Sequence, residues 1–255
     1  MLPTEERQLE QLIHLKEKYQ LAAVKAEFEE EGATFRDIIR LRKLTDLAGV
    51  KLHVKIGGVA AIRDIKDCYE IGVDGIIAPM AETKFGVKKF ISAYQSVYNG
   101  HKVHLSINIE TRNSVEELDE ILEYSAGKLD NITLGRSDLS LSYFDKDVVP
   151  DSDFILDIIK EVGRKVVNAG FTFTVGGSIS KRTIMKLRND PSIVGNVKQL
   201  ETRKVILPRD IMLNMENAVE ETLKFEEMYI LDKKHLFDVM IAQDVSRLDK
   251  LSKRK

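Results

Sequence analysis

Strand-like and helix-like segments take turns along this chain from residue 22 to residue 207, and that alternation limits the fold more than any other feature. Seven strand-like segments can be counted, at 22–29, 51–56, 75–79, 104–110, 132–135, 171–175 and 197–207. Between them lie stretches whose apolar residues recur at helical spacing. Thr34 stands where a side chain can cap a helix running to Leu47, with Gly49 to end it, and Ser180 is placed to cap another. A charged helix over 4–19 precedes the first strand, with Leu9, Leu12 and Ile13 on its inner face. Repeated βα units dictate a parallel sheet wrapped by helices. A length of 255 residues suits closure into a TIM-type (βα)8 barrel. The eighth strand has no segment of its own, so it is atypical, missing or hidden within 196–207. The expected organisation is a single barrel domain over 1–255, with C-terminal helices over 213–255.

The two faces of the strands differ. Val24, Phe28, Val54, Ile56, Ile107 and Ile109 form an apolar set that suits packing under helices. The alternate positions carry Lys25, Glu27, Glu29, His53, Lys55, His104, Asn108 and Glu110, then Thr172 and Thr174, and by extension Glu201 and Arg203. A lumen built only for stability is filled with branched aliphatics. Buried charge is costly unless paired, so a polar lumen of mixed sign marks either a site or a self-satisfied ion-pair network.

The stretch 101–140 concentrates this chemistry. His104, Ser106, Asn108 and Glu110 alternate with Leu105, Ile107 and Ile109, a helix predicted to open at Ser114 with Glu117 as its capping-box partner follows, and the next strand leads into Arg136-Ser137-Asp138. Adjacent parallel strands lie about 4.8 Å apart, so Glu110 and Asp138 at their carboxyl ends can converge on one hard divalent cation. The remaining composition excludes more than it assigns. With 43% hydrophobic and 31% charged residues and a formal net charge of −2, there is no nucleic-acid footprint. Cys68, the single cysteine, has no intrachain disulfide partner and reads as packing in a reducing compartment. No apolar run approaches the roughly 20 residues that span a bilayer. A cytoplasmic protein without membrane or nucleic-acid partners is expected.

Four segments occur in a telling order: V-K-A-E-F-E-E-E-G-A, G-V-D-G-I-I-A-P-M-A-E-T, I-N-I-E-T-R and L-G-R-S-D-L-S. Together they resemble the metal-dependent 2-oxo-acid aldolase and citrate lyase beta-subunit family, within the phosphoenolpyruvate/pyruvate-binding barrel superfamily. The resemblance spans roughly residues 20–180. It implies that Glu110 and Asp138 hold Mg²⁺ or Mn²⁺, and that a 2-oxo acid or related anionic substrate passes through a pyruvate-like enolate in carbon–carbon lyase chemistry. Phosphoenolpyruvate chemistry, acyl-CoA ester cleavage and non-catalytic metabolite binding are the alternatives. Two departures stand out. Lys55 occupies the place of a family arginine and cannot form its bidentate fork, and no histidine follows the first acidic strand, where Glu29-Glu30-Glu31 stands instead.

Lys55 therefore reads as an enolate stabiliser or a lumen ion-pair partner, with Glu27 or Glu29 orienting or assisting. Arg136 either binds a substrate anion or pairs with a nearby acid. Gly176-Gly177-Ser178 can turn backbone N–H groups toward an anion, and Arg203 can reach the barrel mouth. None of the five histidines has zinc-motif spacing. Near the end, Phe237, Ile241, Val245 and Leu248 recur at helical spacing, for packing on the barrel itself or across subunits of a homo-oligomer.

Overall fold

A computed structural model describes residues 1–254. Eight strands close into one barrel in sequence order: β1 Ala23–Glu27, β2 Leu52–Lys55, β3 Gly75–Ala78, β4 His104–Ile109, β5 Asn131–Gly135, β6 Thr172–Gly176, β7 Gln199–Glu201 and β8 Val205–Pro208. Helix α1 (Pro3–Tyr19) precedes them, and α2 (Phe35–Ala48), α3 (Ile62–Ile71) and α4 (Lys84–Tyr98) follow the first three strands. Two pieces, α5 (Arg112–Glu116) and α6 (Leu118–Ser125), follow β4. Then come α7 (Arg136–Leu141) and α8 (Asp153–Asn168) after β5, with α9 (Lys181–Asn189) and α10 (Pro191–Val194) after β6. Short α11 (Arg209–Asn214) and the 35-residue α12 (Ala218–Ser252) complete the chain.

The eighth strand is present and runs backwards. Strands β1 to β7 pair in parallel, whereas β8 is antiparallel to both β7 and β1. Parallel neighbours need a crossover of a dozen or more residues, but antiparallel ones need only a hairpin. Three residues, Thr202 to Lys204, join β7 to β8, and Thr202 closes the turn through its N–H to the Val205 carbonyl at 2.9 Å. The segment 197–207 is too short for a strand, a helix and a strand, so the two strands it holds meet in a hairpin.

Several local expectations shift. Thr34, Gly49 and Ser180 cap as expected. The helix after β4 is capped by Thr111, whose side chain accepts from the Ser114 N–H, and it breaks at Glu117. Ser114 thus sits inside the first turn. On α1 the buried face is Leu12, Leu15 and Tyr19, with Ile13 outside. The apolar strand set lies under the helices: Val24, Val54, Ile56, Ile107 and Ile109 are fully buried.

The lumen is layered. At its floor the His53 and His104 rings stack, 4.9 Å between centroids, and His53 fills the space left by the missing side chain of Gly75. Above them Asn131 donates to Ser106 (2.8 Å) and Thr133 (3.0 Å) and accepts from Thr174 (2.9 Å), a neutral network that satisfies itself. The charged layer lies on top, at the carboxyl ends of the parallel strands.

The first half of α12 packs on α1, with Phe225 and Tyr229 buried, and Asp232 accepts from Arg40 of α2 at 3.0 Å. Beyond it Phe237 borders a depression that Phe28 and Phe35 also line, and Ile241, Val245 and Leu248 are exposed. Among the described residues no helix is long and apolar enough to cross a membrane, α12 included.

The floor generates a prediction. Burial, then the neighbouring His104, pushes the His53 pKa down from 6.5 to about 3, so the folded chain keeps this ring neutral. Below pH 6.5 the unfolded chain binds a proton that the folded chain refuses. Stability from this source is complete above that pH and falls toward pH 3 by at most about 1.4 kcal/mol per unit. Urea unfolding at pH 7, 6, 5 and 4.5 is expected to show a shallower acid loss in His53→Gln than in the parent chain. Equal slopes would remove His53 as the cause.

Candidate active site

Glu110 follows β4 by one residue, on the face that Asn108 shares by the two-residue period of a strand. The register pairs Ile109 with Leu134, which brings Gly135 alongside Glu110. A Cβ on Gly135 would stand 2.6 Å from Glu110 Oε2, so glycine there leaves the carboxylate its place. The Met80 N–H donates to Glu110 Oε1 at 2.9 Å, and Asn108 Nδ2 donates to Oε2 at 3.0 Å. Asp138 lies in the first turn of α7, directly after β5, rather than in a loop. Both carboxylates line a cavity of about 230 Å³ at the barrel mouth, together with Lys55, Asn108 and Ser137.

Both carboxylates are shifted in the same direction. Burial raises the Glu110 pKa against the pull of Lys55, and repulsion from Asp138 adds to the rise. Burial likewise raises that of Asp138, opposed by Lys55 and reinforced by Glu30 and Glu27. No ion pair reaches either carboxylate among the described residues, and Asn108 Oδ1 beside them is buried without a partner.

The cations of this cavity are already engaged. Lys25 contacts Glu201 at 2.6 Å and Glu27 at 3.9 Å. Lys55 contacts Glu29 at 2.6 Å; burial alone would lower its pKa, but Glu110, Glu27 and Glu29 together raise it, so it stays charged. Arg203, in the β7–β8 turn, contacts Glu30 at 3.0 Å and Glu27 at 3.4 Å. Lys204 beside it is buried against Glu31, over the Tyr229 ring of α12.

Of the residues singled out in the sequence, the fold gathers Glu27, Lys55, Glu110, Asp138, Gly177, Ser178 and Arg203 around this cavity. Glu29 stands behind Lys55. Arg136 is elsewhere: its side chain is completely buried, donating Nε to the Gly176 carbonyl (3.0 Å), Nη2 to the Gly177 carbonyl, and Nη1 to Asp151 (2.7 Å) and the Pro150 carbonyl (3.2 Å). It is the acid-paired Arg136 that holds, and the anion-binding one is corrected. The double glycine serves the same join. Gly177, at φ +80°, lies so close to α7 that a Cβ would meet the Ser137 nitrogen at 2.5 Å. Gly176 turns its carbonyl to Arg136, and a Cβ there would meet the Glu201 side chain at 2.8 Å.

Lys25, Asn108, Ser137 and Glu226 join the lining without being among the site residues that the sequence pattern singles out. Strand parity with Glu27 and Glu110 is the available signal for Lys25 and Asn108. Glu226 comes from α12, and no local pattern announces it. Met80 at φ +49° and Ser178 at φ +53° hold left-handed backbone at the mouth, a conformation costly to residues with a side chain.

The closed barrel with two carboxylates at its strand ends is a TIM-type barrel whose candidate site lies at the carboxyl end of the sheet. Residues 40–170, half of the chain, match the family described as HpcH/HpaI aldolase/citrate lyase, and the chain belongs to that family. No curated protein matches it. An HpcH/HpaI aldolase of Desulfitobacterium hafniense DCB-2 is similar in fold at TM-score 0.60 and 16% identity, covering 75% of this chain and 80% of that one. A family protein of Burkholderia cenocepacia J2315 gives 0.62 at 13% identity, covering 78% and 82%. A variant of the citrate synthase SbnG gives 0.58 at 18%, covering 76% and 81%. At such identities the likeness is one of fold.

Breaking the Arg136 join tests its assignment. Removing one partner of a buried ion pair costs about 3–5 kcal/mol, so Arg136→Met is expected to unfold at markedly lower urea than the parent chain. Undiminished stability would free Arg136 for another role.

Proposed function

We propose that this chain is a Mg²⁺- or Mn²⁺-dependent carbon–carbon lyase that makes or breaks a 2-oxo acid through its enolate, with Glu110 and Asp138 as the metal ligands. The observation that carries this reading is the pair itself: two carboxylates that line one cavity at the mouth, without ion-pair partners among the described residues, with burial raising the pKa of each. Hard oxygen donors suit these ions, and Mg²⁺ is commonly held by one or two carboxylates with substrate and water completing the shell. Among the described residues no three His, Cys, Asp or Glu side chains form a group that could hold a metal ion, so two carboxylates are the protein donors proposed here. The family is generally divalent-metal dependent. A cation bound there supplies the positive charge that polarises the carbonyl beside the reacting carbon–carbon bond.

The chain's own residues prepare that event. The Met80 N–H and Asn108 amide fix the rotamer of Glu110. Lys55, kept charged by its acidic neighbours and lining the same cavity, would offer its ammonium to negative charge that develops on the substrate oxygen. Glu29 orients that ammonium, and Glu27 holds Arg203 across the mouth. Ser137 and Ser178 share a hydrogen bond of 2.8 Å at the rim and can turn toward substrate oxygens. The exposed stripe from Phe237 to Leu248 supports contacts between copies of the chain.

Deuterium exchange into the methyl protons of pyruvate, followed by NMR, tests the reading without knowledge of the acceptor. Mn²⁺-dependent exchange is expected in the parent chain and absent in Glu110→Gln. Exchange that persists in that variant would remove Glu110 from the site. Gly135→Ala, which crowds the same carboxylate, is expected to weaken Mn²⁺ by about 10- to 100-fold in calorimetry. Unaltered affinity would show that the carboxylate has another place to go.

A further inference from the structure

Enolate chemistry moves a proton as well as stabilising a charge, so the cavity has to hold a group that can carry one. Among the described residues no histidine lines it. Its two lysines are held in ion pairs. Lys55 keeps its proton against the pull of burial because Glu110, Glu27 and Glu29 surround it, and Lys25 meets Glu201 at 2.6 Å. The carboxylates of the lining remain.

Six carboxylates line the cavity, and five are engaged. Glu110 and Asp138 are the proposed metal ligands. Glu201 accepts from Lys25, and buried Glu27 lies between Lys25 at 3.9 Å and Arg203 at 3.4 Å. Glu30 meets Arg203 at 3.0 Å, and that hydrogen bond holds its carboxyl below the usual range, which makes it a weak base. The sixth is Glu226. Its one ion-pair contact among the described residues is Arg203 Nε at 4.0 Å, and no hydrogen bond fixes either of its oxygens.

Glu226 reaches the cavity from α12. Leu223 and Glu226 are three residues apart, which puts them on one face of that helix, and both line the mouth. The helix is fastened there: Lys204 lies over the Tyr229 ring, and Lys233 donates to the Glu31 carbonyl at 3.5 Å. Burial raises the Glu226 pKa, opposed by Arg203 and Lys204 of the β7–β8 turn and reinforced by Glu31 and Glu27 at the end of β1. A carboxyl so placed exchanges its proton nearer neutral pH than a solvated one does, as general-base work asks. In a cavity of about 230 Å³, a carboxylate on one wall reaches a molecule anchored at another directly or through one water.

We infer that Glu226 is the general base of this site: its carboxylate takes a proton from carbon 3 of the bound 2-oxo acid and hands it to the oxygen of the aldehyde that the enolate attacks. The carbon–hydrogen bond breaks, its electron pair becomes the double bond between carbons 2 and 3, and the carbonyl pair moves onto oxygen. Carbon 3 then bonds to the aldehyde carbon, and the alkoxide takes the proton from Glu226. Cleavage runs the same path in reverse. Nothing is oxidised or reduced, and the carboxylate is restored. This rests on the reading of Glu110 and Asp138 as metal ligands of a lyase.

Deuterium exchange into pyruvate, at saturating Mn²⁺ and pyruvate from pH 5 to 8, compares the parent chain with Glu226→Gln. The parent rate is expected to rise with pH as the Glu226 carboxyl loses its proton. In Glu226→Gln the rate is expected to fall about 100- to 10,000-fold and to lose that pH dependence. Mn²⁺ affinity by calorimetry and the urea midpoint are expected to stay those of the parent, because the side chain is partly exposed and makes no hydrogen bond. A parent-like rate in the variant, a lower rate that keeps the parent's pH dependence, or a matching loss of Mn²⁺ affinity would overturn the inference and leave the lyase reading standing. A parent chain that exchanges nothing would overturn the lyase reading and the general base together.

Discussion

Charge enclosed in a barrel has to be matched by opposite charge close by, and the lumen of this one is matched almost everywhere. Lys25 meets Glu201, Lys55 meets Glu29, and Arg203 meets Glu27 and Glu30. Below them the asparagine, serine and threonine side chains satisfy one another. Glu110 and Asp138 stand outside that balance, and their raised proton affinities express it. The cation proposed for them would complete that balance, because the surrounding lysines and arginine are engaged with other acids.

The reversed eighth strand shapes the mouth. A parallel β8 would have risen from the barrel floor after a helix, and its carboxyl end alone would have reached the site. The hairpin instead sets Arg203 and Lys204 at the top, where one grips the acidic loop after β1 and the other lies against the Tyr229 ring. Through that ring α12 is tied to the rim, and Glu226 joins the cavity lining. Glycines set the spacing: Gly135 admits Glu110 and Gly177 lets the β6 loop lie against α7. Left-handed Met80 and Ser178 show that the rim departs from relaxed backbone at the points where it meets the carboxylate pair.

Much of this is legible in the residues. Period-two alternation separates lumen from helix face correctly, because a strand gives its side chains only two directions. It therefore places Lys25, Glu27, Lys55, Asn108 and Glu110 together without any knowledge of partners. The alternation does not reveal β8, since the polar turn Thr202-Arg203-Lys204 continues from polar Glu201 and Gln199 of the short β7 and is far shorter than the helix that separates the other strands. Nor can it place Arg136: a guanidinium after a strand end looks the same whether it faces solvent, substrate or the carbonyls of a neighbouring loop. The Thr111 and Ser114 caps are three residues apart, so spacing alone does not choose between them. For the apolar stripe at the end of α12, helical spacing marks the face but does not say what covers it, and in the fold Ile241, Val245 and Leu248 stand exposed.

The most direct test of the shared site is whether Glu110 and Asp138 act as one unit. Electron paramagnetic resonance titration of Mn²⁺ into the parent chain, Glu110→Gln, Asp138→Asn and the double variant would measure it. A common ion predicts that either single substitution weakens binding by more than about 100-fold and that the double variant is scarcely worse. Losses that simply add, or parent-like affinity in either single variant, would mean that the two carboxylates do not share a cation.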